Sequence, residues 1–162
     1  MHLTTVWQVL VLLTLANGSP VIVKWLIGNR GAWPLDGNRR FVDGRPLFGA
    51  SKTLRGVLAA IVVTTVSAPL LGLQAGTGLV VALAAMAGDL FSSFLKRRLA
   101  LPPSSQALGL DQVPEALFPL LACRASLALG PADIALGTVL FLVGELLVSR
   151  LLFRLRIRDR PY

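Results

Sequence analysis

Two carboxylates and one glycine-rich basic segment carry most of the chemistry this sequence offers. Asp89 lies late in an apolar stretch, in Gly88-Asp89-Leu90-Phe91-Ser92-Ser93-Phe94-Leu95-Lys96-Arg97-Arg98. On a helix, positions 89, 93 and 96 share one stripe with Ser92 beside it. That face gathers a carboxylate, hydroxyls and a cation, a donor set suited to a metal–phosphate site. A packing ion pair with a neighbouring Arg would use the same Asp. Asp111 opens another apolar stretch, in Asp111-Gln112-Val113-Pro114. It reads either as a helix cap before proline or as a second metal carboxylate facing Asp89. The segment from Gly28 to Gly56 holds six glycines and five arginines and ends in Lys52-Thr53-Leu54-Arg55-Gly56. Glycines let backbone N–H groups approach a phosphate, and the cations neutralise it. Ser51-Lys52-Thr53 stands just before a helix, where an N-terminus favours anions. The Walker spacing is absent, and a solvated basic loop is the competing reading.

The elements that must position these groups are apolar. The 162 residues are 54% hydrophobic and 15% charged, with a mean hydropathy of +0.71. Soluble domains run nearer a quarter charged, about 25%. A cytosolic enzyme, a disordered tail and a disulfide scaffold are excluded, which leaves a small polytopic membrane protein. The net charge is +8. Its cations lie between apolar runs, so lipid head groups, phosphate ligands and membrane orientation explain them better than nucleic acid does. With Cys123 the only cysteine and His2 the only histidine, there is no internal disulfide, no Cys/His zinc set and no histidine-activated nucleophile.

Five apolar stretches are expected to form membrane helices, near residues 3–27, 54–73, 77–95, 113–129 and 134–153. The first has no preceding cation and is read as a span rather than a signal peptide. We expect it to break at Asn17-Gly18-Ser19-Pro20 and border a polar cavity there, with a simple proline kink as the alternative. Lys24 near its end can snorkel to the interface, as can Arg124 in the fourth stretch. Glu145 in the fifth is expected to pair internally.

Fourteen of the 16 basic residues fall in the Gly28–Arg55 segment, in Lys96-Arg97-Arg98 and in the C-terminal end from Arg150 to Arg160. The other two connections carry none. The positive-inside rule makes all three basic surfaces cytoplasmic, with the N-terminus outside and the C-terminus inside. The expected protein is therefore one all-α domain over 1–162. It has cytoplasmic loops at about 28–53 and 96–112, the latter containing Leu101-Pro102-Pro103-Ser104-Ser105, and a basic tail at 154–162.

The ordered set Ala16-Asn17-x-x-Pro20, Asp36-Gly37, Asp43-Gly44-Arg45-x-x-Phe48-Gly49-x-x-Lys52-Thr53-x-Arg55-Gly56, Gly88-Asp89-x-x-x-Ser93-Phe94-x-Lys96-Arg97-Arg98 and Leu110-Asp111-Gln112 resembles the CDP-archaeol synthase family, relatives of the CDP-diacylglycerol synthases. The resemblance covers the chain from the first span into the fourth. It implies a multi-pass cytidylyltransferase of the cytoplasmic membrane. With Mg2+, such an enzyme transfers CMP from CTP to a lipid phosphate of the archaetidic or phosphatidic type, giving CDP-lipid and pyrophosphate. By position, Asp89 and Asp111 would be metal carboxylates and, with Lys96, catalytic. Gly49, Lys52, Thr53, Arg55, Ser93 and Arg97 would hold phosphates, and Asn17, Asp36 and Asp43 would line the substrate pocket. The diacylglycerol branch has a His-Gly-Gly…Asp-Arg element where this chain reads Ala107-Leu108-Gly109-Leu110-Asp111-Gln112, as in the archaeol branch. The rival class is a non-catalytic membrane protein that binds anionic lipid or a partner through its basic loops.

Overall fold

The computed structural model describes residues 2–102, 105 and 107–157. Pro103 and Ser104 of the expected loop, and Arg158 and Arg160 of the basic tail, lie outside the described residues. The described residues form five α-helices: α1 (Leu3–Ile27), α2 (Leu54–Ser67), α3 (Ala75–Arg98), α4 (Gln112–Ala122) and α5 (Pro131–Arg154). A single 3-10 turn, Pro69–Leu71, extends α2. Among the described residues there is no strand, only two isolated bridges inside the loop between α1 and α2.

Among the described residues, four segments are long and apolar enough to cross a membrane: Leu3–Ile27, Leu54–Leu71, Ala75–Arg98 and Pro131–Arg154. The protein is a multi-pass membrane protein on this ground. Trp7 and Trp25 are both exposed near opposite ends of α1. Eighteen residues at 1.5 Å place them about 27 Å apart, close to the thickness of a bilayer's hydrocarbon core. Aromatic rings at those two levels are the usual interface anchors.

The fourth stretch is shorter than the sequence suggests. Helix α4 has 11 residues, about 16 Å of rise, half of what a span needs. Its ladder ends at Cys123, whose N–H turns to the carbonyls of Pro119 and Leu121. Ala128 then adopts a positive φ of 51° before Gly130-Pro131. The irregular segment completes the passage to the other end of the bundle, because α5 begins beside the start of α1. There the His2 backbone N–H donates to Asp133 at 2.9 Å, and Gln8 donates to the Leu71 carbonyl at 2.6 Å.

The break expected in the first helix is not there. Helix α1 runs through Asn17–Pro20 without interruption. Proline at 20 removes the N–H that would serve the Ala16 carbonyl. The Ser19 hydroxyl reaches that carbonyl instead, at 3.5 Å, so the orphan acceptor is served locally.

Helix α3 is the central element and packs on α1, α2 and α4. Two glycines allow this. A Cβ at Gly88 would lie 2.3 Å from the Pro114 carbonyl oxygen, and one at Gly78 would lie 2.7 Å from the Thr64 carbonyl oxygen. Backbones meet at these points with no room for a side chain. The core between the helices is built from Val9, Leu12, Leu13, Val81, Ala85, Ala116 and Leu120. The outer faces of α2 and α5 leave Leu58, Val62, Val139, Val143 and Leu147 exposed, as a lipid-facing surface requires.

Candidate functional site

At the basic end of the bundle the helices enclose a cavity of about 700 Å³. Helix α3 supplies Met86, Asp89, Ser93, Lys96 and Arg97 to it, the stripe that helical periodicity places on one face. Asn17 reaches it from α1, Lys52, Thr53 and Arg55 from the α1–α2 loop and the start of α2, and Asp111, Gln112 and Glu115 from the start of α4. Glu145 and Ser149 of α5 close the remaining side. The phosphate, metal and catalytic residues expected from sequence are thus brought together, apart from Gly49.

Charge is paired across this space. Lys52 Nζ donates to both Asp89 carboxylate oxygens, at 2.5 and 2.6 Å. Burial works against the Lys52 charge, but Asp89 first, then Glu115 and Asp111, hold its ammonium above the ordinary lysine range. Lys96 Nζ lies 2.6 Å from Asp111 Oδ1 and donates to the Ser105 carbonyl at 3.1 Å. Asp111 does not cap α4 with its side chain. Its second oxygen accepts the Ala107 N–H at 3.0 Å, which folds the turn ahead of the helix.

Several donors are left over. Arg97 is only 4% exposed, and one of its terminal nitrogens reaches the Pro102 carbonyl at 2.9 Å. Among the described residues its Nε and Nη1 have no hydrogen-bond partner, and neither does Nδ2 of Asn17. Buried donors of this kind are costly unless something accepts from them. A bound anion would do so.

Asp36, Asp43 and Gly49 do not line the cavity. Asp36 instead organises the α1–α2 loop. It accepts the backbone N–H groups of Asn38, Phe48 and Gly49 at 3.0–3.1 Å. Burial alone would raise its carboxyl, but these donors hold it below its ordinary value. Gly49 sits at a φ of 97°, which suits glycine at this donor position. Asp43 pairs with Arg98 at 2.9 Å. The Arg98 guanidinium lies 4.8 Å from the ring centres of both Phe41 and Phe94 and donates to the Pro46 carbonyl at 2.6 Å. This latch fastens the loop to the end of α3. Thr53 serves two ends, since it lines the cavity and its hydroxyl accepts the Gly56 N–H as the N-cap of α2. Arg55 donates to the carbonyls of Gly28 and Arg30.

Glu115 was not singled out by sequence. It is buried and its carboxyl contacts that of Asp89. An acid in the first turn of a helix is commonplace for dipole reasons, so its pattern carries no signal without the fold. Four carboxylates therefore surround the cavity: Asp89, Asp111, Glu115 and Glu145. Hard oxygen donors of this kind fit Mg2+. Among the described residues, no three acidic, His or Cys side chains are gathered closely enough to hold an ion by themselves.

Comparison with known proteins gives this arrangement its context. Residues 1–162 match the CarS-like CDP-archaeol synthase family. The chain belongs to that family. A CDP-archaeol synthase of Sulfurisphaera tokodaii is 33% identical over 153 residues, covering 91% of this chain and 89% of that protein. One from Hyperthermus butylicus is 34% identical over 155 residues, with 91% and 89% coverage. The Pyrococcus furiosus CDP-archaeol synthase is 42% identical over 107 residues, and that match spans 60% of each protein. A solved structure described as an intramembrane enzyme for archaeal membrane lipids biosynthesis superposes with a TM-score of 0.72 at 28% identity. The match covers 86% of this chain and 91% of that one. Family membership makes this chain a transferase of membrane lipid biosynthesis.

Proposed function

We propose that this protein transfers CMP from CTP to an isoprenoid ether-linked lipid phosphate, with CDP-lipid and pyrophosphate as products. The single observation that carries the reading is the cavity at the basic end. It combines paired carboxylates and lysines with the unpartnered Arg97 donors, inside a chain of the CDP-archaeol synthase family. By the positive-inside rule that end faces the cytoplasm, where CTP is found, with the N-terminus outside and the C-terminus inside. The compartment is then the cytoplasmic membrane. On this reading the chain crosses the bilayer five times, α4 with its irregular continuation being the fourth passage.

The attacking group is a lipid phosphate oxygen that is already anionic, so no side chain has to remove a proton. The work left to the protein is to hold the two phosphate groups in line and to neutralise charge as pyrophosphate departs. Arg97 and Lys52 offer donors to the nucleotide phosphates, with Thr53, Arg55 and the N-terminus of α2 beside them. Ser93 and Lys96 extend the same wall. Asn17 Nδ2 is left for the lipid phosphate, whose chains remain in the bilayer. Mg2+ would be held through Asp89 and a second carboxylate, Asp111 by the family resemblance, and it supplies charge neutralisation at the triphosphate. Lys52 sits on a flexible four-carbon stem. It can leave Asp89 for a phosphate once a cation takes its place.

The test is incorporation of labelled CMP from CTP into lipid by purified protein with Mg2+, offering ether- and ester-linked lipid phosphates side by side. Label in the ether lipid is expected. Label only in the ester lipid would overturn the acceptor assignment. No transfer to either lipid, with no protection of the protein by CTP, would favour a non-catalytic lipid-binding role.

A further inference from the structure

The end of the bundle opposite the cavity keeps one cation that the proposed chemistry does not use. Fourteen of the 16 basic residues lie in the three basic segments, and Lys24 lines the cavity beside them. Arg124 is the remaining one, at an end that otherwise carries no lysine or arginine. It is exposed. Among the described residues the acid of this end is Asp133, and both its oxygens are taken, one by the His2 N–H and the other by the Gly130 N–H. No carboxylate is left for Arg124. A guanidinium at the edge of a bilayer keeps its charge and needs water or an anion.

Beside Arg124 lies a groove of about 490 Å³ between α4 and α5. Leu117, Leu121 and Arg124 fall on one helical stripe, and Ile134, Ala135 and Val139 line the groove from α5. Thr138 is there as well, but its hydroxyl is spent on the Ile134 carbonyl at 2.8 Å. The groove is therefore apolar along its length and charged at one end. Its depth follows from a level that three helices share. A Cβ at Gly137 of α5 would lie 3.0 Å from Leu120 of α4 and 3.6 Å from Val6 of α1. Val6 adjoins Trp7, the exposed interface anchor of this end. Arg124 comes one turn after Leu120, its N–H still bonded to the Leu121 carbonyl at 3.2 Å. It stands at head-group level, and Leu117 lies on the hydrocarbon side of it.

We propose that this groove binds one phospholipid of the leaflet opposite the cavity, with its phosphate on Arg124 and one of its chains along Leu117, Leu121 and Val139. A cation at head-group level above an apolar groove is the complement of that molecule. The site is separate from the lipid acceptor of the proposed reaction, which belongs to the other end. An annular lipid would touch the same face without preference, whereas the guanidinium adds charge-assisted hydrogen bonds to a phosphate. The bound lipid joins the irregular stretch after Ala122 to α5. It thereby steadies the far end of the helix that carries Gln112 and Glu115 to the cavity.

The experiment is native mass spectrometry of the purified protein from micelles containing phosphatidylglycerol, or diacylglycerol with the same chains in its place. Bound lipids are counted per protein molecule for wild type, Arg124→Gln, Val139→Trp and Val143→Trp. Val139 is 60% exposed and Val143 49%, so either indole has room, but only the first would fill the groove. Wild type is expected to retain one phosphatidylglycerol more than Arg124→Gln, whose affinity at this site falls on the order of tenfold. Val139→Trp should lose the same lipid and Val143→Trp should keep it. Diacylglycerol should not occupy the site. Any lipid in the cavity lies at the other end of the bundle and is common to all four proteins. Equal retention by wild type and Arg124→Gln, or equal retention of the two lipids, would overturn the proposal and leave an ordinary lipid-facing surface. A wild-type dimer that Val139→Trp alone dissociates would overturn it too, with a second copy as the occupant.

Discussion

The two ends of this bundle are built from the same apolar helices and do opposite things with their polar groups. At the end where α1 and α5 begin, the connections are short, and the His2–Asp133 and Gln8–Leu71 hydrogen bonds join neighbouring elements. Asp133 also accepts the Gly130 N–H, so its carboxylate is consumed in holding the chain. At the other end the connections are long and basic. The loop there saturates its own acids: Asp36 takes three backbone donors and Asp43 takes Arg98. Behind it the cavity keeps Arg97 and Asn17 donors that have no partner among the described residues. The difference separates scaffold from site. Where a polar group finds its partner within the chain it fixes geometry, and where it faces the cavity unmatched it waits for a ligand.

Substitutions can break this contrast in order of size. Lys52→Met removes the cation that pairs with Asp89 and that the proposed function assigns to the nucleotide phosphates. CMP transfer should fall by about a hundredfold or more, measured as turnover at saturating CTP. Gly88→Ala attacks the backbone contact that lets α4 bring Glu115 to α3. The Cβ has no room at 2.3 Å from the Pro114 carbonyl oxygen. A loss of about 1–3 kcal/mol is expected from overpacking, read in a denaturant titration in detergent.

Asp36→Asn tests the loop alone. It should increase protease cleavage within residues 28–53 several-fold while the helices stay intact. The wild-type loop has a matching pH dependence. The Asp36 carboxyl titrates below its ordinary value of 3.8 in the native state. Its contribution is therefore complete above that value and disappears as pH falls through the lower native one. Protease sensitivity of the wild-type loop should rise only in that acid range, and the variant should lose the dependence. Asp133→Ala gives the smallest effect on function. The melting temperature should drop modestly, with turnover unchanged, since the residue serves the closed end.

Much of this was legible in the residues. Apolar runs bounded by charge gave four of the helices nearly to their ends, because a bilayer rewards length and composition in a way a soluble core does not. The stripe of Asp89, Ser93 and Lys96 followed from helical spacing, and Lys52 and Thr53 from their place before a helix. Three features were not legible. Ser19 rescues the Ala16 carbonyl at Pro20, a local hydrogen bond that no spacing rule foresees, and the expected break did not occur. Asp36 and Asp43 sit in the same Asp-Gly pattern that a phosphate loop uses. Only the fold reveals that one binds its own backbone and the other binds Arg98. Glu115 looked like an ordinary first-turn acid until the Gly88 contact carried it against Asp89.

The most direct measurement is a structure of the protein with a non-hydrolysable CTP analogue, Mg2+ and an ether-linked lipid phosphate. The triphosphate is expected in the cavity at the basic end, within hydrogen-bond reach of Lys52 and the Nε and Nη1 atoms of Arg97, with the lipid phosphate near Asn17. A nucleotide bound on the outer face of the 28–53 loop, with Arg97 still unpartnered, would contradict it.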